Sequence, residues 1–107
     1  MEVKEVRSLE EFEKTIGNGV TLIDFNAPWC GPCRSQEPIL EAISDQLSGK
    51  ASVSAINVDE NRDIAAKFGI QSIPTLIVFK DSTEMQRFVG LQTEEILLTA
   101  MENLIEQ

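Results

Sequence analysis

Apolar and polar positions along the chain switch repeatedly between a strand period and a helix period, and the switches mark out the elements. Val3 to Val6 alternates apolar with charged side chains, the pattern of a short edge strand. Ser8 and Glu11 then have the spacing of a capping box, and Leu9, Phe12 and Ile16 follow at helical spacing. Gly17 and Gly19, flanking Asn18, end that helix and feed Val20-Thr21-Leu22-Ile23-Asp24-Phe25, an apolar run that reads as a strand buried on both faces. An amphipathic stretch beginning near Pro32 carries Leu40, Ile43 and Leu47 on one face and Glu37, Glu41 and Asp45 on another, and ends near Gly49. Pro38 inside it should kink the helix, because it removes a backbone hydrogen bond and crowds the preceding turn; otherwise the helix restarts there.

Ala51 to Val58 reads as a second buried strand, and Asp59-Glu60-Asn61 starts a short helix carrying Ile64, Ala65 and Phe68, closed by Gly69. Strand, helix and strand in succession predict a parallel crossover. Thr75 to Phe79 and Met85 to Val89, separated by the polar Lys80 to Glu84, predict an antiparallel hairpin whose turn holds no glycine. Thr93 caps a last helix whose Leu97, Ala100, Met101, Leu104 and Ile105 form one apolar face. The order β-α-β-α-β-α-β-β-α is that of an α/β protein, a mixed sheet covered by helices on both faces. No repeat, linker or low-complexity segment interrupts it.

At 107 residues the length favours a single domain spanning residues 1–107, large enough to bury roughly two-thirds of its unfolded surface. A net charge of −9 argues against a nucleic-acid surface, since the nine Lys and Arg are scattered and phosphate binding needs them clustered. It would steer a partner with a basic docking face. No apolar stretch approaches membrane-spanning length, and Met1-Glu2-Val3-Lys4-Glu5 lacks the basic and apolar regions of a signal peptide, so a cytoplasmic, non-membrane protein is expected.

The chemistry concentrates in Trp29-Cys30-Gly31-Pro32-Cys33, which holds both cysteines of the chain at a strand-to-helix junction. Pro32 suits a first helical turn because its missing N–H would be unpaired there anyway. The free N–H groups and the positive end of the helix dipole favour a thiolate over a thiol at Cys30. Three residues on, Cys33 lies on the same turn, close enough for a reversible disulfide. The loop it would close is too small for the bond to stabilise the fold much, and a reducing cytosol disfavours structural bridges. A closed zinc site usually needs four Cys or His ligands, and this chain has two Cys and no His, so no metal is expected. Inert thiols or a structural disulfide remain as the plain alternative.

Asp24 interrupts an apolar strand on the face of Leu22, where burial would raise its pKa. It is either a proton acceptor for Cys33 or an aspartate tying strand to helix. Pro74, after Ile73, cannot donate to a sheet ladder, Gly90 marks a turn or a close backbone approach, and Trp29 is either core or a flat apolar rim for a docked peptide.

Asp24-Phe25, Ala27, Trp29-Cys30-Gly31-Pro32-Cys33, Pro38, Ile73-Pro74-Thr75 and Val89-Gly90 together resemble the thioredoxin family over nearly the full length. The resemblance implies a thioredoxin fold of about five strands and four helices, and a dithiol that reduces disulfides in other proteins. It implies a flavin- and NADPH-dependent thioredoxin reductase as the partner that recharges it, no bound cofactor, and a monomer. By position, Cys30 would be the nucleophile, Cys33 the resolving thiol and Asp24 the buried base. Trp29, Gly31, Pro32, Ile73, Pro74 and Gly90 would form the docking surface, with Pro74 in cis and the backbone at Ile73 pairing with substrate. Asn26 stands where the family commonly has a second tryptophan, and Arg34 where lysine is usual. Ala55 stands where a lysine often neighbours the buried aspartate, which should make Asp24 harder to ionise. Ser82 or its neighbours replace the usual hairpin glycine. A binding module that uses the same apolar surface without redox chemistry, or an oxidase or isomerase, would be the competing functions.

Overall fold

The computed structural model describes residues 3–107. Its elements are β1 (Lys4–Val6), α1 (Leu9–Ile16), β2 (Val20–Asn26), α2 (Gly31–Gln46), β3 (Ala51–Asn57), α3 (Arg62–Lys67), β4 (Thr75–Lys80), β5 (Thr83–Val89) and α4 (Glu94–Ile105), in the order the hydrophobic pattern predicts. The sheet order is β1-β3-β2-β4-β5. β1 and β2 run parallel to β3, whereas β4 is antiparallel to β2 and β5 to β4. Among the described residues no helix is long and apolar enough to cross a membrane.

The parallel crossover holds for β2-α2-β3 but not for β3-α3-β4. The six residues of α3 rise only about 9 Å, against about 23 Å for the seven of β3, so the helix itself does not return the chain to the starting end of the sheet. β4 begins where β3 finished, with Thr75 and Ile56 both beside Phe25, and runs the other way.

The side chains of β2 alternate between two cores. Val20 and Leu22 face α2 and α4, packing with Leu40, Ile43, Leu47, Leu97 and Met101. Ile23 and Phe25 face the other side, with Phe12 and Ile16 of α1 and Ile64 of α3. Three of the four helices start on side-chain or sulfur caps. The Ser8 hydroxyl accepts from the Glu11 N–H at 3.1 Å, the Thr93 hydroxyl from the Ile96 N–H at 3.2 Å, and the Cys30 sulfur from the Cys33 N–H at 3.2 Å. The α2 helix runs unbroken from Gly31 to Gln46 with Pro38 inside it, so it does not restart there, and Leu47 is its C-cap, two residues short of Gly49.

The glycine-free hairpin turn is made by Asp81 and Ser82 at φ of +48° and +74°. Lys80 pairs with Thr83 across it, leaving a two-residue loop of the twist that suits a hairpin. The α1–β2 connection holds this turn: the Gly19 N–H donates to Asp81 Oδ1 at 2.8 Å, and the Ser82 N–H to the Ile16 carbonyl at 2.8 Å.

Candidate functional site

β2 ends at Asn26, four residues before Cys30, so a strand paired on both edges delivers the cysteines to the end of the sheet where α2 begins. Cys30 is the N-cap of α2, with extended backbone, and Pro32 occupies the first turn, where its lack of an N–H costs no hydrogen bond. The two cysteines form a disulfide with Cα atoms 5.2 Å apart. Both are buried, and they pack with Ala27, Val58 and Ile73.

The chain from β3 and the start of β4 complete the surroundings. The Ile73–Pro74 peptide bond is cis, and the Ile73 carbonyl lies 3.9 Å from Cys30 Sγ. Pro74 is buried, and its carbonyl accepts from the Gly90 N–H at 2.8 Å, which ties the end of β5 to the loop beside the cysteines. Gly90 adopts a φ of +92°, a conformation open to glycine and strained for other residues. Trp29 is 67% exposed, a rim residue and not core, and its indole N–H donates to Asp59 Oδ2 at 2.7 Å. Val89 and Leu91, 61% and 50% exposed, flank Gly90 with further apolar surface. Gly31 and Pro32 are exposed on the first turn of α2, where a side chain at Gly31 would meet only open space.

Asp24 lies on the Leu22 face of β2, fully buried. Its Oδ2 accepts from Asn26 Nδ2 at 3.1 Å, while Oδ1 has no partner. The carboxyl forms part of a cavity of about 310 Å³ between β1, β2, β3 and α2, whose lining includes Glu5, Glu37, Glu41, Asn26 and Ala55. No lysine or arginine is among its described lining residues. Burial pushes the Asp24 pKa up to about 7, the Asn26 amide pulls it down, and the charge of Glu37 raises it further. Ala55 lies directly opposite Asp24 in the β2–β3 register and supplies no cation to the carboxyl.

Several contacts around the cysteines join residues whose pairing the sequence does not announce. Arg34 donates through Nε and Nη2 to the Pro28 carbonyl at 3.2 and 3.1 Å, bracing the loop before Cys30. Gln36, fully buried, clasps the backbone of Gln92 with a donated bond at 3.0 Å and an accepted one at 2.8 Å, fixing α2 to the segment after Gly90. Its place could have been found, since positions 33, 36, 40, 43 and 47 continue the buried stripe of α2 through a polar residue. Asp59 reads in sequence only as part of a helix start, and its bond to Trp29 spans 30 positions.

The thioredoxin family model matches residues 3–103. The chain belongs to the thioredoxin family. It is 47% identical to thioredoxin of Staphylococcus saprophyticus over 91 residues, covering 85% of this chain and 88% of that one, and 46% identical to that of Staphylococcus haemolyticus over the same shares. A mutant thioredoxin of Halobacterium salinarum superposes with a TM-score of 0.93 at 36% identity, over 99% of this chain and 93% of that one. The thioredoxin of Malassezia sympodialis gives 0.88 at 33% identity, over 96% and 90%. The five-stranded mixed sheet with four helices is the thioredoxin fold, and the Cys30–Cys33 pair is the redox-active disulfide of a thiol–disulfide oxidoreductase.

Proposed function

We propose that this thioredoxin works as a reductase of disulfides in other cytoplasmic proteins, with Cys30 as nucleophile, Cys33 as resolving thiol and Asp24 as base. The observation that carries the reading is the sulfur cap: Cys30 Sγ accepts the Cys33 N–H at the N-terminus of a 16-residue helix. In the reduced protein that N–H and the helix dipole would stabilise a thiolate at Cys30.

The thiolate attacks one sulfur of a substrate disulfide, forming a mixed disulfide and releasing the other substrate sulfur as a thiolate, which takes a proton from solvent. Cys33 then gives its proton to Asp24, and its thiolate attacks the Cys30 sulfur. The second substrate sulfur leaves and is protonated, so the substrate gains two electrons and two protons and the protein is left with the Cys30–Cys33 disulfide. A flavin- and NADPH-dependent thioredoxin reductase would restore the dithiol. Trp29, Gly31, Pro32, Ile73, Pro74 and Gly90 would form the docking surface, with the backbone at Ile73 pairing with an extended substrate. Exposed Trp29, Val89 and Leu91 support an apolar contact there.

Insulin reduction with dithiothreitol as the electron source tests the assignment. Cys30→Ser should abolish turnover, and Cys33→Ser should retain attack but accumulate the mixed disulfide, visible as a mass adduct. Turnover that survives Cys30→Ser would refute the nucleophile assignment and favour a binding module. Equilibrating the pair against glutathione, read by Trp29 fluorescence, separates a reductant from an oxidase or isomerase.

A further inference from the structure

Asp24 and Asn26 are two apart on β2, so their side chains project to the same side of the sheet. The amide donates to Oδ2 at 3.1 Å, and Oδ1 is buried without a partner. The charged and titratable groups that line the cavity around the carboxyl are Glu5 from β1 and Glu37 and Glu41 from α2, all acidic; β3 contributes the uncharged Ala55 and Asn57. On its other edge Asp24 pairs with Leu76 of β4. Cys33 is on α2 and buried. Among the described residues, Asn26 is therefore the one side chain that donates a hydrogen bond to this carboxyl. A donor bonds more strongly to a carboxylate than to a carboxylic acid, so it favours the ionised form.

We propose that Asn26 is a positioning residue for the resolving step: its amide grips Asp24 by one oxygen, favouring the carboxylate against the effect of burial, and leaves the other oxygen open for the proton of Cys33. This rests on Asp24 being the base. Asn26 takes over, with a neutral donor two residues along the same strand, the task that a cation across the cavity would perform if position 55 were not alanine.

Asn26→Leu keeps the side-chain size and removes the donor. In the reduced variant, carboxyl-resolved NMR should show the Asp24 titration midpoint raised by about one pH unit. Ala55→Lys added to that variant should lower it again by placing an ammonium in the cavity. In the unmodified protein, which removes any concern about folding of the variants, the Asn26 Nδ2 protons should move downfield with the same midpoint as the Asp24 carboxyl. An unchanged or lowered midpoint in Asn26→Leu, or Nδ2 protons that do not follow Asp24, overturns the proposal. The base assignment is read separately, from the acid limb of mixed-disulfide release. If the midpoint rises in Asn26→Leu and the limb stays put, Asn26 still tunes Asp24 but Asp24 is not the base, and the positioning role falls with it.

Discussion

The two faces of β2 treat buried polar groups in opposite ways. On the face under α1 and α3, Thr21 is buried, but its hydroxyl reaches the Thr15 carbonyl at 3.3 Å and the Ser52 hydroxyl at 3.1 Å. The same face carries a cluster of rings: Phe12 lies 6.4 Å from Phe25, 5.2 Å from Phe68 and 5.7 Å from Phe79, in tilted or edge-on arrangements. On the face under α2, Asp24 keeps one oxygen unpartnered and looks into a cavity with three more carboxylates. A chain that satisfies Thr21 and leaves Asp24 half satisfied has one face built for stability and another where stability is given up for an available carboxylate. Substitutions on the two faces should therefore have opposite effects.

The largest effect is expected from Phe12→Ala, which deletes the ring common to three aromatic contacts. It should lower unfolding stability by about 3–5 kcal/mol in urea titration. Insulin reduction by the folded protein should stay as it was, because the cluster around the rings and the cluster around the cysteines have only the half-buried Val58 in common. A large drop in turnover at full folding would mean that the faces are not independent.

Asp24→Asn should act the other way. The folded-state pKa of about 7 lies above the ordinary 3.8, so between those values the native state holds a proton that the unfolded chain has lost. Stability should consequently be full below about pH 4, fall as pH rises toward 7 and level off above it. The Asp24→Asn variant would carry no such slope, and at pH 8 it should be more stable than the unmodified protein by about 4 kcal/mol, the scale set by the difference in pKa. Its release of reduced substrate should slow at least about tenfold. A flat stability profile in the unmodified protein between pH 4 and 7 would show that Asp24 is not held protonated by its surroundings.

How much of this was legible in the sequence depended on the range of the interaction. The cysteine junction, the Ser8 and Thr93 caps and the burial of Asp24 follow from neighbours within a few positions, and the sequence indicates each of them. The Asp24–Asn26 bond is also local, and the strand period alone puts both side chains on one face, but Asn26 stands out in the sequence only as a residue differing from the family. The Trp29–Asp59 and Gln36–Gln92 bonds join positions 30 and 56 apart, and no local pattern signals them. The simple strand–helix–strand rule gives the wrong direction for β4, which follows a helix of only six residues.

The smallest effect separates strain that serves the site from strain that does not. Ser82 holds a φ of +74° in the hairpin turn at the Val20 end of β2, the opposite end from Asn26 and the cysteines. A left-handed conformation costs a residue with a side chain about 1–2 kcal/mol, and glycine adopts it freely. Glycine also loosens the unfolded chain, which takes back about 0.4–1 kcal/mol. The backbone bond from the Ser82 N–H to the Ile16 carbonyl survives the substitution. Ser82→Gly should thus raise stability by about 0.5–1 kcal/mol, read as a shift in urea midpoint, and leave the rate of insulin reduction unchanged. Asp24→Asn gains stability and loses activity, whereas Ser82→Gly should gain stability alone. A loss of activity in Ser82→Gly would tie the distant turn to the site and contradict the division between a structural and a chemical use of unfavourable conformations.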